Sequence, residues 1–190
     1  MNNQPIIITA GEPNSVFLEI FFKSIKYKKY KSPIIIIASK KLLIFQMKKL
    51  GFNYSVNLIK EDFKNFHNLN NKKINIINVD YIFKECFEPI SEKSNTYISN
   101  CFTVGLNFLK KNNFLKFING PISKKHFLKG KSLGITEYLA KKTNKNSNVS
   151  MLIFNKKLSV SPITTHLALK DVHKHISKKK IYTHVKLITA

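Results

Sequence analysis

Arginine and tryptophan are absent from this chain of 190 residues, whose 33 basic side chains are all lysine. The missing arginines bear on nucleic-acid binding, the first guess that a net charge of +23 invites. Specific readers of bases and phosphates rely on bidentate guanidinium forks, which a lysine point charge does not reproduce. The lysines are also spread along most of the chain, with one cluster at Lys124, Lys125, Lys129 and Lys131. Lys, Asn, Ile and Phe are over-used together, as an AT-rich coding sequence would produce. Most of the charge is therefore expected on solvated faces, and no specific nucleic-acid partner is expected. Cysteine is scarce: Cys86 and Cys101 lie far apart with no CxxC spacing, which indicates neither a disulfide framework nor a zinc knuckle. No apolar run is long enough to span a bilayer, so no membrane contact is expected. No charged leader with a cleavage pattern precedes Pro5. The expected setting is reducing and cytoplasmic.

What is present can build a core. Hydrophobic residues make up 43% of the chain and include 15 Phe, too apolar for a disordered segment. The length suits one domain, or one and a fragment. Pro5–Ala10 and Ile34–Ala38 are unbroken apolar runs, as in strands buried on both faces of a parallel sheet. Between them Gly11-Glu12-Pro13 turns the chain, and Asn14 or Ser15 can cap a helix with Val16, Phe17, Ile20, Phe21 and Ile25 on one face. Ser39 caps a second helix carrying Leu42, Leu43, Met47 and Leu50, which Gly51 closes. This β-α-β-α order predicts a parallel sheet flanked by helices. Ser55–Ile59 and Ile74–Val79 read as further strands. From Ser94 to Asn112, Tyr97, Cys101, Val104, Gly105, Phe108 and Leu109 fall at helical spacing, which makes Cys101 a buried hydrophobe rather than a reactive thiol. Ile6–Ala10, Ile34–Ala38 and Leu115–Ile118 are expected as neighbouring buried strands of one sheet.

Two later stretches carry chemistry. Leu115–Ile118 runs into Asn119-Gly120-Pro121-Ile122-Ser123-Lys124. A helix capped by Ser123 would offer backbone N–H groups to a phosphate beside Lys124; the same residues also fit an ordinary turn with a surface lysine. Gly134–Glu137 then opens a helix, and Val149–Phe154 and Leu158–Ile163 read as strands joined by a turn at Asn155-Lys156-Lys157. The second stretch is Ser161–Asp171. There a strand from Lys157 stops at Thr164-Thr165, and His166 stands beyond its carboxyl end, where α/β folds gather ligands. Its imidazole suits a divalent metal, or simply a hydrogen bond to nearby backbone. His173, His175 and His184 read as exposed loop or helix residues, and Lys180–Ala190 as a last helix.

Taken together, these stretches resemble one family, the 4-hydroxythreonine-4-phosphate dehydrogenases of pyridoxal phosphate biosynthesis. Thr9–Glu19 is similar to the family's Thr-Pro-Gly-Glu-Pro-Ala-Gly-Ile-Gly-Pro-Glu, and Gly120–Lys124 matches Gly-Pro-Ile-Ser-Lys. Gly134–Glu137 matches Gly-His-Thr-Glu, with Ile135 replacing the histidine, and Thr164–Asp171 matches Thr-Thr-His-Leu-Pro-Leu-Arg-Asp, with Ala168 and Lys170 substituted. In the first motif Ser15 and Phe17 replace two glycines. The resemblance implies an α/β fold, a doubly wound, mostly parallel sheet with flanking helices of the isocitrate- and isopropylmalate-dehydrogenase type. It implies that residues 1–190 are a single α/β region, the N-terminal part of a longer fold whose cofactor-binding part is absent.

The activity implied is NAD-dependent oxidation of 4-phosphohydroxy-L-threonine to a β-keto acid, which decarboxylates to 3-amino-2-oxopropyl phosphate. A divalent metal (zinc, magnesium or cobalt) held by three histidines would act as Lewis acid, and NAD would take the hydride. By the same resemblance His166 is one metal ligand, Thr136 binds substrate, Lys124 lies near the phosphate, and the enzyme is a homodimer. Thr136 and His166 should then open onto one shared cleft. One histidine falls short of the roughly three protein ligands such a site needs, so this chain alone is not expected to turn over. The alternatives are a non-catalytic remnant that folds and binds anions, and, less favoured, a basic nucleic-acid-binding domain.

Overall fold

The two isoleucine runs form the centre of a five-stranded sheet in the computed structural model, which describes residues 4–130, 132–145 and 149–189. Strand β1 (Ile6–Thr9) pairs in parallel with β2 (Ile34–Ala38), Ile6 lying opposite Ile34 and Thr9 opposite Ile37. Strand β3 (Val56–Leu58) pairs with β4 (Ile74–Asn78), β4 pairs with β2, and β5 (Phe117–Asn119) lies on the other side of β1. The order is β3-β4-β2-β1-β5 and every pairing is parallel. Side chains alternate between the two faces, as the period of a strand requires. Ile8, Ile34, Ile36, Ile74 and Ile76 meet Leu18, Phe21 and Phe22 of helix α1 (Phe17–Tyr27) and Leu43 and Met47 of α2 (Lys40–Lys49). Helix α3 (Asn95–Asn112) packs on β1 and β2, and at Gly105 it comes close to Thr9, Ile37 and Phe117 on the other face. With helices on both faces the fold is α/β and doubly wound, as expected.

These elements belong to the first of two compact units, residues 1–127; the second comprises residues 128–190. Several boundaries in the first unit differ from the sequence reading. Val16 and Ile20 of the expected apolar face are 62% and 58% exposed, and the buried row is Leu18, Phe21 and Phe22 with Ile25 half-buried beside them. Both rows fit helical spacing, and the way α1 lies on the sheet decides between them. Helix α1 begins after Val16, while the Ser15 hydroxyl accepts from Phe17 N–H at 3.3 Å and donates to the Glu12 carbonyl at 2.7 Å. Helix α2 is as read: Ser39 Oγ accepts from Leu42 N–H at 3.4 Å, and Gly51 takes a φ of 74°. The third strand is a neighbour of β1 but is not buried on both faces. It starts two residues later than Leu115, which is 86% exposed, and as an edge strand it leaves Ile118 half-exposed.

In the second unit, α4 (Ile135–Lys142) and α5 (Lys178–Thr189) are the expected helices, and a 3-10 turn spans Leu169–His175. The two strands read at Val149–Phe154 and Leu158–Ile163 reduce to one antiparallel bridge, Ile153 with Val160, closed by N–H···O bonds of 2.8 and 3.0 Å. Among the described residues no third strand backs this ribbon, and a two-stranded ribbon alone is marginal in water. Lys131 and Ala190, parts of the lysine cluster and of the last helix as read, lie outside the described residues.

Candidate functional site

In the first unit, the loops after β1 and β5 meet at the carboxyl edge of the sheet, where a doubly wound fold reverses its winding. Gly120 N–H donates to the Thr9 carbonyl at 2.7 Å, and Glu12 N–H donates to the Pro121 carbonyl at 2.8 Å. A Cβ on Gly120 would overlap the Ala10 carbonyl; one on Gly11, whose φ is 70°, would overlap that of Pro121. The close backbone approach therefore falls on these two glycines and does not need the pair replaced by Ser15 and Phe17. Glu12 is buried: one carboxylate oxygen accepts from Ser94 Oγ at 2.8 Å, the other from Asn14 N–H at 3.3 Å. Asn14 in turn accepts from Glu88 N–H at 3.1 Å. The Glu88 carboxylate takes backbone N–H bonds from Lys84 and Glu85, which lower its pKa. Glu12 thus braces the loop.

Lys124 stands exposed at the start of a single π turn, Lys124–Leu128, which replaces the helix expected after Ser123. Ser123 does cap it, its Oγ accepting from His126 N–H at 3.2 Å while its carbonyl accepts from Phe127 N–H at 2.8 Å. Those two donors are spent inside the turn and are not presented to an anion.

The second unit contains a cleft of about 360 Å³. Thr136 and Glu137, on the first turn of α4, form one side. The ribbon contributes Val149, Met151 and Pro162 to Thr165, together with Leu167, and the C-terminal segment contributes His175, Lys180 and His184. His166 is exposed, with a left-handed φ of 58°, and its Nε2 lies 4.0 Å from where a Cβ on Gly134 would stand. The imidazole therefore sits beside the residue that precedes α4. The lining includes Thr165 and Leu167 on either side of His166, but not His166 itself. Nor does His166 follow a strand of the sheet, since only Val160 of Lys157–Ile163 is paired.

His184 corrects the reading of an exposed helix residue. It is half-buried, and its Nδ1 lies 3.2 Å from Ser150 Oγ, which lies 3.2 Å from Ser161 Oγ. His173 and His175 are exposed as read, although His175 lines the cleft. The reading missed His184 because its partners, Ser150 and Ser161, are remote in sequence. No three His, Cys, Asp or Glu side chains among the described residues come together as a metal site. The described residues therefore do not fit the three-histidine metal centre on their own, and His166 would be a single ligand. No helix among them is long and apolar enough to cross a membrane.

The profile of the pyridoxal phosphate biosynthetic protein PdxA matches residues 29–190. The chain is 32% identical over 189 residues to 4-hydroxythreonine-4-phosphate dehydrogenase of Sulfurihydrogenibium sp. (strain YO3AOP1), a match covering 96% of this chain and 56% of that protein. It is 26% identical over 191 residues to the enzyme of the same name from Aquifex aeolicus (strain VF5), covering 98% and 57%. Among solved structures, the 4-hydroxythreonine-4-phosphate dehydrogenase of Burkholderia phymatum superposes with a TM-score of 0.81 at 19% identity, over 98% of this chain and 57% of that one. The Klebsiella pneumoniae enzyme gives 0.78 at 18%, over 97% and 57%. The chain thus spans little more than half the length of the relatives it matches, with the same fold. The β1 and β5 loops, the Gly134–Glu137 turn and the Thr164–Asp171 segment accordingly belong to a member of the PdxA family of pyridoxal phosphate biosynthesis.

Proposed function

We propose that this chain supplies the substrate-binding part of a 4-hydroxythreonine-4-phosphate dehydrogenase, an oxidoreductase that converts 4-phosphohydroxy-L-threonine to a β-keto acid with NAD. The observation that carries the reading is Thr136. It stands on the first turn of α4, in a cleft whose size suits a small phosphorylated molecule. A hydroxyl there can donate to a phosphate or hydroxyl oxygen, and the nearby helix terminus favours negative charge. His166, beside Gly134, is proposed as the one metal ligand this chain brings. NAD and the remaining metal ligands would come from the portion that the relatives have in addition, and no step through either is derived from these residues. The family resemblance also supports a homodimer.

A second reading, a protein that binds the anion without turnover, is favoured by the single histidine at the proposed metal position. One preparation separates the two. Calorimetry should detect 4-phosphohydroxy-L-threonine binding, weakened roughly tenfold by Thr136→Ala through loss of a hydrogen bond to a charged group. The same protein with NAD and each of zinc, magnesium and cobalt should form no NADH. Turnover abolished by His166→Ala would instead establish a complete catalytic site. Absence of binding would remove the substrate reading.

A further inference from the structure

We propose that the cleft of the second unit holds the phosphate of a phosphomonoester through His184 Nε2 and Lys180, with Ser150 and Ser161 fixing the imidazole; this rests on reading the cleft as the substrate site. The argument is a count of protons. Ser161 Oγ donates to the Met151 carbonyl at 2.7 Å, which uses its single hydroxyl proton. Across the 3.2 Å to Ser150 it can therefore only accept, and the Ser150 proton is spent on that bond. Ser150 Oγ must then accept from His184, whose Nδ1 carries the hydrogen at 3.2 Å. The chain runs His184 to Ser150 to Ser161 to Met151 carbonyl, and it leaves one tautomer.

In that tautomer the lone pair of the neutral ring is on Nε2, the nitrogen left to meet a ligand. A phosphate monoanion carries one hydroxyl, which can donate to that lone pair. Both ring nitrogens are then used, Nδ1 donating to Ser150 and Nε2 accepting from the phosphate hydroxyl. Lys180 adds an ammonium from the same helix, its Nζ lying 3.4 Å from the His175 carbonyl. Glu137 is the carboxylate on the lining, and its Oε2 turns toward Gly134, 3.0 Å from where a Cβ would stand. The Lys180 ammonium and the Thr136 hydroxyl offer donors to the remaining phosphate oxygens, while the imidazole accepts from the hydroxyl.

The test uses the intact chain and inorganic phosphate as probe. Side-chain ¹⁵N NMR of the neutral His184 ring should show the hydrogen on Nδ1 and Nε2 bare without phosphate, then a shifted Nε2 resonance with Nδ1 unchanged when saturated. His184→Asn keeps a donor where Nδ1 was and removes Nε2, so phosphate affinity should fall about tenfold or more with backbone amide shifts of the first unit unchanged. Ser150→Ala should leave binding weaker and give a mixture of tautomers. An Nε2–H tautomer in the free protein, or undiminished affinity in His184→Asn, overturns the inference. If His184→Asn binds normally while Thr136→Ala does not, the cleft remains the substrate site and only the role of His184 falls. If phosphate perturbs neither residue, both fall.

Discussion

At the scale of single residues, the buried Tyr97 and Cys101 set a stability limit in alkali. Both are buried on α3, and burial is the main cause of their shifts. The Cys101 thiol is pushed up from its ordinary 9.0 to about 12, against a smaller lowering from its hydrogen bond with Tyr97. The Tyr97 phenol, whose oxygen accepts from Ser39 N–H at 3.0 Å, moves in the same direction. Above pH 9.0 the unfolded chain releases a thiol proton that the folded chain retains up to about 12. Stability is thus intact below that window and falls as pH rises through it, on the order of 1 kcal/mol per pH unit for the thiol, and the phenol acts in the same direction above its ordinary 10.0. Urea titrations of the parent and Cys101→Ala between pH 8 and pH 11 check this. The variant should lose part of the slope, and equal slopes would refute the assignment. Cys101 should also resist thiol reagents at neutral pH until the chain unfolds.

At the scale of elements, the contact between the β1 and β5 loops is made of backbone, and backbone does not give way. Gly120→Ala should cost about 1–3 kcal/mol, because its Cβ meets the Ala10 carbonyl rather than the end of a flexible side chain. A lower urea midpoint with an unchanged slope would show it; an unchanged midpoint would mean that the loops separate readily. Ala at Gly51, where a Cβ meets nothing within 4 Å, is the control, since only its φ of 74° opposes substitution. Gly11 and Gly120 stand in separate motifs, and the sequence carries no sign that they touch. Their contact follows from β5 pairing with β1, a choice of neighbour that local residues do not encode.

At the scale of the molecule, the two units differ in what they bury. Every fully buried hydrophobic side chain described lies in the first unit except Leu128 and Ala140, while Ile153, Phe154, Leu158 and Val160 of the second are more than half exposed. Stability should therefore be uneven, because local opening costs least where few apolar contacts are lost. Hydrogen exchange should be slowest in β1, β2 and β4 and fastest in residues 151–163. Comparable protection in the ribbon and the sheet would show that something covers the ribbon in solution.

The order of strands and main helices in the first unit up to β5, the buried isoleucine runs and the buried Cys101 were determined by the sequence alone, because period, β-branching and capping act over a few residues and leave their mark in the local pattern. The family motifs were legible for the same reason, each being a short contiguous run. Tertiary structure alone decided that α1 buries Leu18 rather than Ile20, that β5 lies at an edge, and that the ribbon forms a single bridge. These outcomes depend on which surfaces meet, and two candidate faces of one helix look equally apolar until one is covered. Thr136, Lys180 and His184 belong to the same class. His184 meets Ser150, and Lys180 and His184 share a cleft with Thr136, across dozens of residues, so the arrangement arises only where the folded chain brings α4, the ribbon and α5 around that cleft.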